Sequence, residues 1–154
     1  MQVARVFTIF AAATVIGVAC SDNNNSTGIP AGLEVYKATL NGANERPTAV
    51  TSTATATAII TVLGNSISWK VDVNAAIDSV IAGHIHRGAA DSAGGVIQNL
   101  SPTPTGMGFT GTVANGAIVP PDSVITLMRA GLAYVNIHTK AHTGGEIRGQ
   151  LVKQ

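Results

Sequence analysis

The sequence is poor in the residues on which several protein classes depend. Among its 154 residues there is one cysteine, charged residues make up 11% and aromatic residues 4%. Because the single cysteine is Cys20, the chain can form no internal disulfide and has no cysteine-rich metal site. With so few aromatic rings, the core has to be built from aliphatic side chains.

Charge of one sign is not concentrated anywhere in the chain. Nine Lys and Arg residues stand against eight Asp and Glu, and removal of an N-terminal segment carrying Arg5 would leave eight against eight. Nucleic-acid binding and electrostatic attachment to anionic lipids both require clustered cations. The charge balance therefore argues against nucleic acid as a partner.

The N-terminal segment predicts export from the cytoplasm. Residues 1–19 combine Arg5 with an apolar run over 6–19, which is shorter than the roughly 20 apolar residues of a membrane-spanning helix. This pattern is typical of a signal peptide. Cys20 after Ala19 resembles a bacterial lipobox, although Gly17 stands where that pattern has Leu, Val or Ile. We expect a lipid on Cys20 and a membrane-anchored location in the cell envelope, periplasmic or on the surface, with cleavage to a free protein as the alternative.

The residues after Cys20 separate the anchor from a single domain. The stretch 20–32 is rich in Asn, Ser and Gly and has no apolar periodicity, which is typical of a flexible tether. About 120 residues remain, the usual size of one domain with one core. We therefore expect the folded domain to span residues 33–154.

Period-2 alternation determines the expected fold class. Over 51–62 alanines and aliphatic residues alternate with threonines, and over 66–74 Ile67, Trp69, Val71 and Val73 alternate with polar residues. The pair Gly64 and Asn65 between these stretches predicts a hairpin turn. Alternation of this kind is typical of antiparallel sheets with one solvated face, and Trp69 is expected to be the largest core side chain.

Further strand candidates complete an all-β prediction. They cover residues 33–40, 80–86, 95–100, 108–113, 132–139 and 146–152, and only 121–130 has a helical pattern. We expect an antiparallel Greek-key, immunoglobulin-like β-sandwich of about seven to nine strands with one short connecting helix.

Polar residues at strand spacing form a candidate site. His84 and His86 lie two apart and should project from one face, with Ile81 and Ile85 on the other. The same spacing puts Tyr134, Asn136 and His138 on one face of a second strand, and Glu146, Arg148 and Gln150 on one face of a third. If the three strands are neighbours, one cluster could form from five of these side chains: His84, His86, His138, Glu146 and Arg148.

Three interpretations of the cluster stay open. It could be a structural polar cluster, with Glu146 and Arg148 as a surface ion pair. It could bind copper or zinc through His84, His86 and His138, with Glu45 or Glu146 as fourth ligand. It could also be catalytic, but we do not expect an enzyme: the sequence has no phosphate-binding glycine loop, nucleophile elbow or zinc-protease helix motif.

Three segments together resemble the CHRD domain, a module named after the animal protein chordin and found in many bacterial secreted proteins. They are LNGANERPTAVTSTATATA (40–58), AGHIHRGAADSAGGVIQNL (82–100) and AGLAYVNIHTKAHTGGEIRGQL (130–151). Where the family has one or two prolines after Glu, this chain keeps one, Pro47. The matched polar positions are Glu45, His84, His86, Asn136, His138, Thr139, Glu146 and Arg148.

The resemblance implies an immunoglobulin-like sandwich outside the cytoplasm without an established activity. It indicates a binding or interaction module with a protein or small-ligand partner, while the growth-factor ligands of the animal proteins are not carried over. His142 lies where the family varies and is left out of the set. The chain is also similar to copper-zinc superoxide dismutases in its H-x-H strand, but it lacks their cysteine pair and zinc loop, so we do not expect dismutase chemistry.

Overall fold

The computed structural model describes residues 32–154. The predicted signal peptide, Cys20 and the tether up to Ala31 lie outside the described residues. None of the described residues belongs to a helix that is long and apolar enough to cross a membrane.

Antiparallel strands make up most of this part of the chain. The nine strands are β1 (Leu33–Asn41), β2 (Thr55–Leu63), β3 (Ser66–Ile77), β4 (Val80–Arg87), β5 (Val96–Asn99), β6 (Phe109–Ile118), β7 (Ala133–Thr139), β8 (Ile147–Gln150) and β9 (Val152–Lys153). One helix, α1 (Asp122–Arg129), connects β6 to β7, and a single 3₁₀ turn (Gly42–Asn44) follows β1. The all-β prediction with one short connecting helix is confirmed.

The strands form one continuous sheet in the order β5-β4-β7-β8-β1-β2-β3-β6, with β9 also paired to β1. The sheet is curled into a half-barrel, and the Greek-key sandwich stays a prediction. β1 runs the length of the sheet: Leu33 pairs with Leu63 at one end, and Asn41 pairs with Thr55 and Arg148 at the other. The β2–β3 hairpin turns at Gly64, whose φ of 61° suits glycine.

The core is aliphatic, as the composition predicts. Alternate residues of β2, from Ala56 to Val62, are at most 1% exposed. Trp69 is only partly buried against this core, so the prediction that it is the largest core residue is wrong. Its indole N–H donates to the carbonyl of Leu100 at 3.1 Å, and Gly116 on β6 leaves room for the ring.

A bulge near the start of β4 changes which residues face the core. The register between β4 and β7 shifts between Val80 and Ala82, and Ile81 is 42% exposed while Ile85 is fully buried. The prediction that Ile81 and Ile85 share a face is therefore wrong, because an extra residue in one strand reverses the alternation.

Candidate metal centre

The sheet order brings the predicted polar residues together. β7 lies between β4 and β8, and in register His84 is opposite Asn136, which is opposite Arg148. One step along, His86 is opposite Tyr134. These residues lie at the Asn41 end of β1, because Arg148 pairs with Asn41.

Three imidazole rings converge at this end of the sheet, and we call His84, His86 and His138 the histidine cluster. One ligand nitrogen from each ring lies within 4.8 Å of the others. Nδ1 of His84 is 3.1 Å from Nε2 of His138. The centroid of the His86 ring lies 5.4 Å from that of His84 and 5.6 Å from that of His138.

Backbone carbonyls orient two of these rings. Nδ1 of His86 lies 3.0 Å from the oxygen of Gly94, and Nδ1 of His138 lies 3.0 Å from the oxygen of Thr143. A carbonyl only accepts hydrogen bonds, so Nδ1 of each of these two rings carries the proton and Nε2 is unprotonated, with a lone pair that can accept a hydrogen bond or bind a metal. Nε2 of His86 is buried and has no hydrogen-bond partner in the protein. This arrangement is typical of metal-ligating histidines.

Burial keeps the histidine cluster uncharged. Burial is the largest cause of the lowered pKa of all three rings. For His84, burial and the neighbouring His138 and His86 lower the pKa to about 4. A neutral imidazole is the form that binds metals. The rings are therefore neutral near pH 7.

A second set of buried polar side chains lies beside the histidine cluster. The Asn136 amide donates to Oε2 of Glu45 at 3.3 Å, and Glu45 is 4% exposed. Nη2 of Arg148 donates to the carbonyls of Ala89 and Ser92 at 2.7 and 2.8 Å. One atom of each of Glu45, Asn136 and Arg148 is buried without a hydrogen-bond partner in the protein. Buried polar atoms without a protein partner are rare in folded proteins, and ordered water or a bound ligand commonly satisfies them.

Tyr134 was not predicted to belong to the site, although the strand face on which it lies was predicted. The Tyr134 ring stacks on His86, with centroids 5.1 Å apart and an interplanar angle of 11°. The guanidinium carbon of Arg148 lies 3.5 Å from the centroid of the same ring. Tyr134 lies opposite His86 in the strand pairing, and this pairing could not be read from the sequence alone, so the stacking contact could not be predicted.

The remaining predicted residues lie around the cluster rather than in it. Glu146 accepts hydrogen bonds from Ser52 at 2.7 Å and from Thr139 at 2.6 Å. Within residues 32–154, the group that could hold one ion comprises three histidines and neither Glu45 nor Glu146. His142 lines a separate cleft of about 410 Å³, which it shares with Glu45. The structure thus does not bring a carboxylate ligand to the histidines.

The histidine cluster and the polar residues beside it are mostly buried and do not lie on the surface. Only His84 among them is partly open to solvent. At most 9% of each other residue is exposed: His86, Asn136, His138, Thr139, Glu146 and Arg148. The loop at 88–95 contributes Gly94 and the carbonyls bound by Arg148, and the loop at 140–146 contributes Thr143. Glu146 and Arg148 form no ion pair with each other, because each is held by other groups.

Glu45 gives the domain a pH-dependent stability. Burial raises the pKa of Glu45 to about 7, against the opposing effects of Asn136, Arg148 and Arg46, whereas an unperturbed Glu titrates near 4.5. Between these pH values the folded chain binds more protons than the unfolded chain, so the free energy of unfolding contributed by this group falls as pH rises. We expect Glu45→Gln to be more stable than the native chain by about 1–3 kcal/mol at pH 8, with the difference shrinking toward pH 4.

Urea unfolding at the two pH values measures this difference. Glu34→Gln is the matched control, because Arg129 and Lys153 lower the pKa of Glu34 to about 2, so its replacement should lose stability at pH 8. A Glu45→Gln difference that does not change with pH contradicts the assignment.

Comparison with known proteins gives a match to a family model. The model of the CHRD domain family matches residues 36–151, which include all the strands of the site. No curated protein and no solved structure matches the chain. With the family model covering most of the sequence, the chain belongs to the CHRD domain family.

Proposed function

We propose that this CHRD domain is a binding module that holds one copper or zinc ion through His84, His86 and His138. The observation that carries the proposal is the convergence of three neutral imidazole nitrogens within 4.8 Å, on side chains from two paired strands. Imidazole nitrogen is a preferred ligand of both metals.

The spacing of the nitrogens requires a small contraction around the ion. Zn–N bonds of about 2.0–2.1 Å place neighbouring ligands about 3.4 Å apart in a tetrahedral arrangement. The pair His84 and His138 is already at 3.1 Å. His84 is the least buried of the three, so its ring has the most freedom to adjust and its side is the route by which an ion enters.

Binding also requires a change of tautomer at His84. In the metal-free chain, the Nδ1–H group of His84 donates a hydrogen bond to Nε2 of His138. In the bound form, the His84 proton moves to its own Nε2, and both facing nitrogens direct lone pairs at the ion. Because the ring is neutral before and after, binding near pH 7 needs no net loss of a proton from His84.

A fourth coordination position is left for a ligand from outside the domain. Three protein ligands with an open fourth position can hold water, a small ligand or a donor atom from a partner protein. We infer binding rather than catalysis because no carboxylate lies in the cluster, and the Tyr134 hydroxyl is engaged by the amide of Gly94 at 3.2 Å.

The location and the finer fold are also part of the proposal. The segment 1–19 followed by Cys20 supports export and lipid anchoring at the cell envelope. The antiparallel, curled sheet and the family membership support a Greek-key, immunoglobulin-like sandwich. The partner in the envelope is then a protein or small ligand that reaches the open coordination position.

Equilibrium dialysis against zinc and against copper tests the metal site. The untagged chain is expected to retain one ion of either metal per molecule, and its midpoint of thermal unfolding should rise with metal concentration because the ion binds only the folded state. A chain that retains neither ion refutes the metal site and leaves a binding module for another ligand.

A further inference from the structure

The Leu33 end of the sheet is apolar and lies opposite the histidine cluster. Leu63, Ile118 and Val119 are 59%, 45% and 58% exposed there. Leu63 lines a groove of about 230 Å³ together with Leu33, Ile67, Ala117 and hydroxyl side chains, and no charged residue lines it. Ile118 and Val119 directly follow Ala117 in the chain. We call these residues, with Ile118 and Val119, the apolar end.

Strand pairing brings the apolar end together from four strands. Leu33 begins β1 and is opposite Leu63, the last residue of β2, while Ile67 near the start of β3 is opposite Ile118 at the end of β6. Ion pairs lie beside it, since Glu34 binds Arg129 and Lys153. An apolar surface with adjoining charges is typical of a docking surface.

The short segment between Cys20 and Leu33 indicates the surface on which the apolar end docks. The described residues start at Gly32, directly before Leu33, and only twelve residues separate Leu33 from Cys20. A flexible chain of that length has a root-mean-square span of about 20 Å. The opposite end of β1, at Asn41, is about 26 Å further away. A lipid on Cys20 would therefore hold the apolar end, and not the histidine cluster, close to the bilayer.

We propose that the apolar end rests on the lipid surface and turns the histidine cluster away from the membrane. This inference rests on the proposed anchor at Cys20 and is independent of metal binding. The exposed aliphatic side chains contact the boundary between headgroups and acyl chains, while Arg129 and Lys153 lie at headgroup level.

Quenching by brominated lipids tests the orientation. The full-length lipidated protein is labelled with an environment-sensitive fluorophore at Leu63→Cys or Val119→Cys, since lipidation blocks the Cys20 thiol. It is reconstituted into phosphatidylethanolamine–phosphatidylglycerol vesicles with brominated acyl chains. The matched control is Met107→Cys, because Met107 is 83% exposed and lies near the start of β6, at the far end of that strand from Ile118.

We expect loss of emission at positions 63 and 119 and none at 107. Equal quenching at all three positions, or no quenching at any of them, overturns the orientation. Emission that changes with protein density but not with bromine overturns it in favour of a second copy of the chain. Flotation with the vesicles, compared with a Cys20→Ala chain, reports on the anchor: a native chain that does not float refutes both anchor and docking, and metal dialysis remains a separate result.

Discussion

Replacing His138 with alanine is expected to weaken zinc and copper binding by about 100-fold or more. Even the loss of a group that only orients a metal ligand reduces affinity by about 10–100-fold, and His138 is one of three ligands. Its ring is the only member of the histidine cluster contributed by β7. Without it, His84 and His86 remain as a pair on β4, which cannot fill a tetrahedral site. Competition titration with a chelator of known affinity measures the change.

His142→Ala is the matched control for this experiment. His142 is four residues away in the sequence, but it lines the separate cleft that it shares with Glu45 and does not belong to the histidine cluster. Its replacement should leave affinity for both metals unchanged. Equal affinities in the native chain, His138→Ala and His142→Ala would show that bound metal lies elsewhere, and circular dichroism of each variant excludes unfolding as the cause of a loss.

Replacing Arg148 with alanine is expected to destabilise the domain by about 3–5 kcal/mol. The residue is 1% exposed, and its guanidinium group donates to two loop carbonyls and lies over the Tyr134 ring. Its loss removes both of these hydrogen bonds and the contact with the Tyr134 ring, and it removes a cation near Glu45. Urea denaturation near pH 7 measures the effect.

Two further substitutions show whether the hydrogen bonds and the burial of Arg148, rather than its charge alone, stabilise the domain. Arg148→Lys keeps the charge but cannot donate to two carbonyls in the same planar geometry, so most of the loss should remain. Arg129→Ala removes a guanidinium that is exposed and paired with Glu34, and its effect should be small. A loss for Arg148→Ala no larger than that for Arg129→Ala would mean that the contacts of Arg148 do not stabilise the fold.

The strands were predictable wherever one face of a strand is apolar and the other polar. β2 and β3 follow this alternation closely, and the turn between them contains glycine, so their pairing could be predicted from local sequence alone. The boundaries were less accurate: β2 begins at Thr55 rather than near residue 51, and β3 continues to Ile77. A strand ends where it loses its hydrogen-bonding partner. The local sequence pattern does not show where the partner strand begins or ends.

The candidate site was predictable in its residues but not in its burial. Strand spacing put His84 with His86 and Asn136 with His138, because that inference needs only a period of two. Their burial depends on loops that cover the site, such as the one containing Gly94. The alternation within the strands does not predict where those loops lie. The carbonyls of Gly94 and Thr143, which orient two rings, have no sequence signature because every residue has a carbonyl.

The histidine cluster joins two strands that are distant along the chain. His84 and His138 are separated by 54 residues, and β5, β6 and α1 lie between their strands in the sequence. Before β7 pairs with β4, only His84 and His86 are held close together by the local strand. The three rings come together only after β7 has joined β4, so the proposed ion would bind late in folding. The metal content of the isolated protein would thus record where the chain folded.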